Sequence, residues 1–458
     1  MAGTAERELA RLLGPGNVLP GTTREYLSDA TETRNLSGRA DAVALPGDGA
    51  EVAAVVRWCY EHDVPITPRG GGTGFTAGAV PLDGGVVVSL DRLRAFRSFE
   101  PELWRAHVEA GVTTADLARR ARETGLLYPP DPGAAEQSQL GGNIATNAGG
   151  PHTFKYGVTG AWVTGLELVL APGELISVGG PVRKDVAGYD IKSLMIGSEG
   201  TLGIITAAWV KLLPAPEAQL PVVAFYPDAA TGCAALAAVL ANGLLPAALE
   251  FLDEGAVQAA IGTFPGDPPG RPAFMLIAEA DGSPEEARRL RSELIEVLGA
   301  GGLGTHAPED LKATRDLWRW RAGASHAVTA QRGGKVSEDI VVPVERLAEA
   351  IAATREIGAR HALPACSWGH AGDGNLHSTL MIDREDPAEL ERAELAAADL
   401  FALACELGGS VSGEHGIGLV KRGALARQWS PAAVARHESI KRLFDPKNLL
   451  NPGKKLAR

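Results

Sequence analysis

Three glycine-rich loops in the first half of the chain place the strongest constraint on its fold. They span residues 68–78 (PRGGGTGFTAG), 141–150 (GGNIATNAGG) and 197–204 (GSEGTLGI). Successive glycines let backbone N–H groups converge on an anion without obstruction by Cβ atoms, which is how proteins bind phosphates. The first loop alone is equally consistent with a mobile surface loop, but three such loops in one domain predict a phosphate-bearing cofactor.

The first loop also fits the dinucleotide fingerprint GxGxxA over residues 72–77, with Asp91 suitably spaced for a ribose hydroxyl. That fingerprint must open a helix. Here Gly78, Pro81 and two further glycines before residue 86 would break a helix. The context therefore argues against a nicotinamide cofactor.

Short apolar runs alternate with helical patterns from residue 41 to residue 215, which predicts an α/β organisation. Strands are expected at Ala42–Leu45, Pro65–Thr67, Val86–Leu90 and Ala106–Glu109, and helices at Glu51–Glu61 and Ala115–Glu123. The two prolines within residues 213–216 favour an extended linker. We therefore expect the first domain to cover residues 1–215.

After residue 216 the pattern changes to strands separated by longer amphipathic helices, which predicts an α+β domain over residues 216–415. Its strands are expected at Ala273–Ala278, Ile340–Val342 and Leu376–Ile382. Ser283, Pro284 and Glu286 form a capping box that predicts a helix over the residues that follow. Residues 416–458 are expected to form a separate C-terminal segment.

Length and charge limit the classes of function. A chain of 458 residues, with 45% hydrophobic and 22% charged residues, is typical of a globular protein with more than one domain. Its net charge of -12 argues against a nucleic-acid partner. The first residues, MAGTAERELARLL, lack the apolar core of a signal peptide or a spanning helix, so we expect a cytoplasmic protein.

The cysteines also exclude some cofactors. Cys59, Cys233, Cys366 and Cys405 are far apart and form no CxxC pair. We therefore expect neither an iron–sulfur cluster nor a cysteine-based zinc site. All four are interpreted as reduced core residues.

A candidate metal site lies in the second domain. In residues 369–377 (GHAGDGNLH) an Asp-Gly turn separates two apolar runs, and a hairpin there would bring His370 and His377 together. Spacing alone leaves two ordinary surface histidines as an alternative. The interpretation is strengthened by Glu414 and His415, a carboxylate and an imidazole that are flanked by glycines.

In order and spacing, these motifs resemble the vanillyl-alcohol oxidase superfamily. The resemblance is closest to the branch that contains glycolate oxidase flavin subunits, D-lactate dehydrogenases and D-2-hydroxyglutarate dehydrogenase, and it covers the chain from about Tyr26 to Leu456. It implies an α+β fold, in which an FAD-binding domain of two α/β subdomains is joined to a ferredoxin-like α+β substrate domain, or cap. The C-terminal segment would then return to the FAD domain.

The resemblance also implies which residues bind the cofactor. The expected FAD contacts are Arg69, Gly70, Gly71, Gly72, Thr73, Gly74, Gly78, Pro132, Gly141, Gly142, Asn143, Ala145, Asn147, Gly150, Tyr156, Gly157, Gly200, Gly203, Ile204, Ile205 and Asn451. Some relatives attach FAD through a histidine or a cysteine, and the first loop contains neither. Dissociable FAD is therefore expected, with His152 as the residue that leaves covalent attachment open.

By the same resemblance, His370, His377 and Glu414 would ligate a divalent ion, and His415 would be the catalytic base. Two imidazoles and one carboxylate suit zinc, manganese or iron(II). Arg321, in the motif WRWR of residues 318–321, would hold the substrate carboxylate, whereas Arg319 is equally consistent with a role in packing. The expected reaction removes a hydride from C2 of a 2-hydroxy acid to flavin N5 while the base takes the hydroxyl proton.

Two departures from the family bear on the substrate. Relatives that oxidise D-2-hydroxyglutarate carry a lysine at the position of Ser337 and an asparagine at the position of Thr379. Glycolate or D-lactate is therefore favoured, and D-2-hydroxyglutarate is the alternative.

Other functions remain open on the sequence alone. They are a metal-dependent hydrolase, which would leave the glycine loops unexplained, and a flavin-binding subunit of a larger electron-transfer complex. The electron acceptor could be a quinone, an electron-transfer protein or an iron–sulfur partner subunit. A homodimer and a peripheral position at the inner face of the membrane are also compatible with the sequence.

Overall fold

The first layer of the amino-terminal domain is a small, mostly parallel sheet. The computed structural model describes residues 2–31, Arg34 and residues 36–456. The elements of the first layer are α1 (Ala2–Leu13), β1 (Val18–Pro20), β2 (Ala42–Ala44), α2 (Gly49–Glu61), β3 (Ile66–Arg69) and β4 (Val86–Ser89). The strand order is β1-β2-β4-β3, with β2, β4 and β3 parallel. The first glycine loop follows β3, at the carboxyl end of a parallel strand, where open α/β sheets bind ligands.

The second layer is an antiparallel sheet of five strands in the order β5-β6-β10-β8-β9. The elements of this part of the chain are β5 (Phe96–Glu100), β6 (Arg105–Glu109), α3 (Thr114–Arg122), β7 (Leu126–Leu127), α4 (Leu140–Thr146), α5 (Thr153–Tyr156), β8 (Val163–Leu170), β9 (Glu174–Gly179), α6 (Ile191–Met195), β10 (Ile204–Lys211) and β11 (Leu213–Pro214). The second glycine loop contains most of α4, and the third leads into β10, so both lie beside the first loop.

The cap is built on an antiparallel sheet of seven strands in the order β15-β12-β14-β13-β17-β18-β16. Its elements are β12 (Ala218–Tyr226), α7 (Ala229–Ala241), β13 (Ala248–Leu252), α8 (Glu254–Ala260), β14 (Phe274–Gly282), α9 (Pro284–Gly299), β15 (Gly304–His306), α10 (Leu311–Ala322), α11 (Ala324–Arg332), β16 (Gly333–Val341), α12 (Leu347–Arg360), β17 (Ala365–His370), β18 (Asn375–Asp383) and α13 (Pro387–Glu406).

The two faces of the cap sheet differ in chemistry. Because side chains alternate between faces along a strand, one face is apolar and packs against α7, α9, α12 and α13. The other face is covered in part by α8, α10 and α11. On this second face the register aligns Glu250 with His370, and Asp339 with His377. Four buried polar side chains are thereby brought together on one side of the sheet.

The C-terminal segment contains α14 (Leu425–Gln428) and α15 (Pro431–Phe444) and then returns to the first domain. Leu450 forms a parallel bridge with Ile66 of β3, and the Asn451 N–H donates to the Ile66 carbonyl at 2.7 Å. The chain therefore ends beside the strand that leads into the first glycine loop.

The elements predicted from the sequence are present, with shifted ends. The capping box at Ser283 is confirmed, as is the hairpin that joins β17 to β18. The strand predicted at Ile340–Val342 matches only the end of β16, which starts at Gly333. The earlier part of β16 was not predicted because Lys335 and Glu338 interrupt its apolar run.

The four cysteines differ in burial. All four cysteines are free, and Cys59 and Cys366 are buried. Cys233 and Cys405 are only partly buried, because they pack against the edge of the cap core from α7 and α13. Among the described residues, no helix combines the length and the apolar character that crossing a bilayer requires.

Candidate active site

A cavity of about 900 Å³ lies where the glycine loops face the cap. This volume is at the upper end of the range for small-molecule and cofactor sites, roughly 300–1,000 Å³. The predicted residues that line it are Arg69, Gly70, Gly71, Gly72, Thr73, Gly74, Gly78, Pro132, Gly141, Gly142, Asn143, Ala145, Gly200, Gly203, Ile204, Ile205, Glu414 and His415. Residues from all three glycine loops therefore share one cavity with the carboxylate and the imidazole of the GEHG motif.

Glycine is needed in these walls because backbone segments approach each other closely. A Cβ atom on Gly71 would overlap the carbonyl oxygen of Gln137, and one on Gly141 would lie 2.6 Å from the Cβ of Ala110. Gly72 has a φ of +67°, a backbone conformation that residues other than glycine rarely adopt. By contrast, a Cβ on Gly142 would meet nothing within 4 Å. The walls are thus made of backbone, and Gly142 borders open space.

Arg69 lines the cavity but is largely engaged elsewhere. Its two terminal nitrogens donate to the carbonyls of Ser28 at 2.6 Å and Glu25 at 2.8 Å, and its guanidinium lies 5.6 Å from the ring centroid of Tyr26. Arg69 therefore ties the loop of residues 25–28 to the first glycine loop. Its predicted contact with pyrophosphate stays a prediction.

Five predicted cofactor residues are not among those that line the cavity: Asn147, Gly150, Tyr156, Gly157 and Asn451. Asn147 ends α4 in the left-handed conformation, and its side-chain oxygen accepts from the Gly160 N–H at 2.8 Å. The Tyr156 hydroxyl donates to Asp281 of the cap. Gly150 packs against Asp131, and Gly157 ends α5 with a φ of +79°. These four residues shape the loop behind the wall.

Asn451 is buried beside the cavity without lining it. Its side-chain amide donates to the carbonyls of Gly78 at 2.9 Å and Glu199 at 2.8 Å, and both of those residues line the cavity. The C-terminal tail therefore joins the first glycine loop to the third. The predicted contact of Asn451 with the flavin stays a prediction.

His370, His377 and Glu414 lie close together. The Nε2 atom of His370 lies 3.2 Å from Glu414 Oε1, and the Nε2 atom of His377 lies 3.6 Å from the same oxygen. One ligand atom from each residue lies within 4.8 Å of the others. A tetrahedral ion with bonds of roughly 2.0–2.1 Å would have ligand atoms about 3.3 Å apart. Nitrogen–oxygen separations of this size fit a divalent ion.

A second carboxylate orients His370. Its Nδ1 atom donates to Glu250 Oε1 at 2.6 Å, which leaves Nε2 directed at Glu414. Such a carboxylate–histidine pair commonly fixes the tautomer of a metal-binding imidazole. Burial alone would lower the pKa of His370, but Glu250 and Glu414 raise it well above its usual value. Positive charge is therefore stabilised between these two carboxylates.

Arg321 does not line the cavity, and its predicted contact with the substrate carboxylate stays a prediction. Its Nη2 atom pairs with Glu250 Oε2 at 2.5 Å. A buried guanidinium needs a carboxylate partner, and Glu250, itself fully buried, is the one it contacts. Burial alone would raise the pKa of Glu250, but His370 and Arg321 hold that pKa at about 2. Arg321 thus contacts Glu250, which in turn contacts His370, so the three charged groups form a chain.

His415 lies between the cavity and the histidine pair. Its ring stacks on that of His377, with centroids 5.2 Å apart and planes inclined by 15°, and it lies 4.6 Å from the Phe75 ring. Burial lowers the pKa of His415 to about 4 and that of His377 to about 3. Both imidazoles are therefore neutral near pH 7, so each has a nitrogen lone pair free for a proton or a metal ion.

His152, the residue that left covalent flavin attachment open, is held on both sides. Its Nδ1 atom lies 2.5 Å from Asp131 Oδ2, and its Nε2 atom lies 3.0 Å from Glu279 Oε1 of the cap. It does not line the cavity. Its position joins the second glycine loop to β14.

Several residues that build the site were missed by the sequence interpretation. Glu250 and Asp339 brace the metal-site residues, and Glu199, Gln139 and Ser325 line the cavity. Glu250 did carry a signal, because it is the single charged residue within the apolar run of β13. Asp339 could be found only from the pairing of β16 with β18, which places it opposite His377.

Comparisons with known proteins agree with this geometry. Residues 40–179 match a family model described as "FAD binding domain", and residues 215–455 match one described as "FAD linked oxidases, C-terminal domain". The chain is 36% identical over 459 residues to glycolate oxidase subunit GlcD of Bacillus subtilis, covering 99% of this chain and 97% of that protein. It is 37% identical over 416 residues to a D-lactate dehydrogenase of Anaerostipes hadrus, covering 88% and 87%.

Solved structures show the fold. A 4-ethylphenol oxidase from Gulosibacter chungangensis superposes with a TM-score of 0.81 at 20% identity, covering 99% of this chain and 97% of that one. A p-cresol methylhydroxylase gives a TM-score of 0.79 at 19% identity, covering 99% and 97%. The predicted vanillyl-alcohol-oxidase-type fold is confirmed. The chain belongs to the family of FAD-linked oxidases and is an FAD-binding oxidoreductase.

Proposed function

We propose that the protein oxidises a small D-2-hydroxy acid to the 2-oxo acid, with a divalent ion held by His370, His377 and Glu414. One observation carries the proposal: Glu414 belongs to the cluster of ligand groups and also lines the cavity formed by the glycine loops. A substrate held at the cluster would therefore lie next to the cofactor. The names of the glycolate oxidase and D-lactate dehydrogenase relatives support this class of substrate.

FAD fits the cavity in size and in the character of the walls. Backbone segments from three glycine loops face it, as a pyrophosphate group requires. Bound FAD supplies the acceptor for the hydride that leaves C2 of the substrate. The cavity-lining residues include no cysteine, and His152 is engaged by Asp131 and Glu279. We therefore expect acid precipitation to release FAD into the supernatant, and flavin that stays with the precipitate would contradict this.

The donor set fits a divalent ion with open positions for substrate. Two imidazoles and one carboxylate are the ligands of many catalytic sites, and zinc, manganese and iron(II) all accept them. A bound ion supplies the charge that lowers the pKa of a substrate hydroxyl. Glu250 keeps the His370 ring in orientation, and Arg321 neutralises the second oxygen of Glu250. In this proposal Arg321 acts through Glu250.

His415 is the proposed base. It is buried, it lines the cavity next to Glu414, and its ring is held between those of His377 and Phe75. A neutral imidazole nitrogen at this place can accept the hydroxyl proton as hydride leaves C2. Because the ring is already stacked, it needs little reorientation before the proton moves.

The side chains near the metal ligands favour a small substrate. Ser337 Oγ and Thr379 Oγ1 lie 2.8 Å apart and share a hydrogen bond, and neither carries a charge for a second carboxylate. This supports glycolate or D-lactate over D-2-hydroxyglutarate.

The test is reduction of the bound flavin by substrate without oxygen. We expect glycolate or D-lactate to bleach the yellow colour faster than L-lactate or D-2-hydroxyglutarate. Faster bleaching by D-2-hydroxyglutarate would assign the alternative substrate. A yellow protein bleached by no hydroxy acid would contradict the proposal and favour a flavin-binding subunit, and a colourless protein without FAD would favour the hydrolase.

The relative from Bacillus subtilis is named as a subunit, which supports transfer of electrons to a partner. We include in the proposal an electron acceptor outside this chain: a quinone, an electron-transfer protein or an iron–sulfur subunit. Any association with the membrane would then be peripheral, on the cytoplasmic side.

A further inference from the structure

The segment of residues 412–418 carries Glu414 and His415 but has no regular secondary structure. The β-pairing that precedes the segment is the isolated bridge between Ser410 and Val341. No helix or strand therefore fixes the two residues on which the proposed chemistry depends. Their positions must come from side chains that bind the backbone of this segment.

On the cap side, one carboxylate oxygen binds the start of the segment. Asp339 Oδ2 accepts the N–H groups of Gly413 and Glu414 at 2.8 Å and of His415 at 2.9 Å. The same oxygen accepts the Ser412 hydroxyl at 3.0 Å. Asp339 is fully buried and lies opposite His377 in the pairing of β16 with β18. One residue therefore sets Glu414 relative to the histidine strand.

On the flavin side, a second buried carboxylate binds the end of the segment. Glu199 Oε1 accepts the Ile417 N–H at 2.9 Å, and Oε2 accepts the Gly418 N–H at 2.6 Å. Glu199 belongs to the third glycine loop and lines the cavity. Its backbone is in the left-handed region, with a φ of +54°, and its N–H donates to the Ala145 carbonyl at 2.8 Å. This end of the segment is thus attached to the cofactor-binding wall.

We propose that residues 412–418 couple the flavin cavity to the metal centre, with Asp339 and Glu199 as the two positioning residues. The inference rests on the proposed function, because it takes His370, His377 and Glu414 as metal ligands. Hydrogen bonds from backbone N–H groups to a buried carboxylate are strong and directional. A shift of the third glycine loop on cofactor binding is therefore transmitted to Glu414, and thermodynamic linkage makes the effect reciprocal.

The two carboxylates are expected to give different signatures when altered. Asp339→Asn should weaken Zn²⁺ binding at least roughly tenfold. If the amide oxygen keeps the four donors of Oδ2, the new N–H₂ group faces the N–H₂ group of Asn375, which donates to Asp339 Oδ1 at 2.6 Å in the unaltered protein. Glu199→Gln should lower the Zn²⁺ affinity of the FAD-loaded protein by no more than the coupling that it removes, about fivefold, because it does not contact the ligand residues. It should instead remove the coupling between the two sites.

Asp253→Asn is the matched control. Asp253 is also buried in the cap, and its carboxylate accepts backbone N–H groups of Ala256 at 3.1 Å and Ser367 at 2.7 Å. It has no hydrogen bond to residues 412–418. If loss of a buried, hydrogen-bonded carboxylate acts only by general destabilisation, this variant should change Zn²⁺ binding and coupling as much as the other two.

The experiment measures Zn²⁺ affinity by titration of the FAD-loaded full chain, and the rate of FAD release on dilution with Zn²⁺ present or chelated. In the unaltered protein and in Asp253→Asn, Zn²⁺ should slow FAD release at least about fivefold, within the usual range of coupling between sites. In Glu199→Gln the two rates should agree within roughly twofold. If that variant does not fold, Glu199→Asp, which withdraws the carboxylate by one methylene, provides the same test.

The outcomes separate this inference from the proposed function. Equal release rates with and without Zn²⁺ in the unaltered protein, or full coupling in Glu199→Gln, would overturn the coupling. Zn²⁺ affinity that falls equally in Asp339→Asn and Asp253→Asn would overturn the positioning role of Asp339. Failure of the unaltered protein to bind Zn²⁺ at all would instead refute the proposed metal centre, and the coupling with it.

Discussion

The cofactor cavity and the cluster of His370, His377 and Glu414 adjoin each other but are built by opposite means. The cavity walls are backbone, and some of their glycines are fixed by close approach, as at Gly71 and Gly141. The cluster consists of side chains from separate segments, braced by further buried side chains such as Glu250. A site made of backbone fails when atoms are added, whereas a site made of side chains fails when ligands are removed.

Because they are built differently, the two sites can be damaged separately. The three candidate metal ligands lie outside the three glycine loops. Apart from the coupling proposed through residues 412–418, changes to the cluster should therefore leave FAD bound, and changes to the loops should leave the donor set in place.

Removal of the metal should abolish turnover and leave the flavin in place. Chelation of the purified protein is expected to stop bleaching by D-lactate while the absorption spectrum of FAD stays nearly unchanged, because the ligands lie outside the glycine loops. Stopped-flow absorbance with and without added Zn²⁺ or Mn²⁺ measures the effect. Full activity in a metal-free protein would remove the ion from the mechanism.

Replacement of the base, His415, and replacement of a ligand, His377, should have different effects. His415→Asn should retain FAD and metal but reduce flavin roughly 10²–10⁴-fold more slowly, the usual contribution of one positioned general base. His377→Asn should lose metal and recover part of its activity at high metal concentration, because mass action offsets a weaker site. Metal titrations read by the rate of bleaching compare the two variants. Equal rescue would show that the two roles are wrongly assigned.

How far the sequence could predict the molecule follows the same division. Glycine loops and the GHAGDGNLH hairpin are local patterns, so both could be found without a structure. Asp339 and Glu199 could not, because their partners at residues 413–418 are more than 70 positions away along the chain. The pairing of Arg321 with Glu250 could not be predicted either, since it depends on how α10 packs on the sheet.

Gly71 and Gly142 differ in the space that surrounds them, and this difference tests where the cofactor lies in the cavity. Gly71→Ala should weaken FAD binding roughly 10–100-fold and lower thermal stability, because overpacking against the Gln137 carbonyl costs about 1–3 kcal/mol. Gly142→Ala should leave the stability of the FAD-free protein unchanged, since its Cβ meets no protein atom within 4 Å. If FAD occupies that space, its affinity should still fall. Fluorescence titration and thermal unfolding separate the two effects, and unchanged FAD affinity in Gly142→Ala would place the cofactor away from this wall.

The smallest expected effect concerns the tail that joins the first and third glycine loops. Asn451 has a φ of +44°, a backbone conformation that glycine adopts readily. Asn451→Gly therefore removes the side-chain amide that donates to the carbonyls of Gly78 and Glu199 and accepts from Lys454. Leaving buried carbonyls without a donor costs about 1–3 kcal/mol, and we expect FAD affinity to fall roughly tenfold. Metal affinity should change little, because the Glu199 side chain still accepts from Ile417 and Gly418 in this variant. Titration of FAD and of Zn²⁺ into the same variant decides the point. A loss of metal affinity as large as the loss of FAD affinity would mean that the tail supports the whole interface between the domains rather than the flavin loops alone.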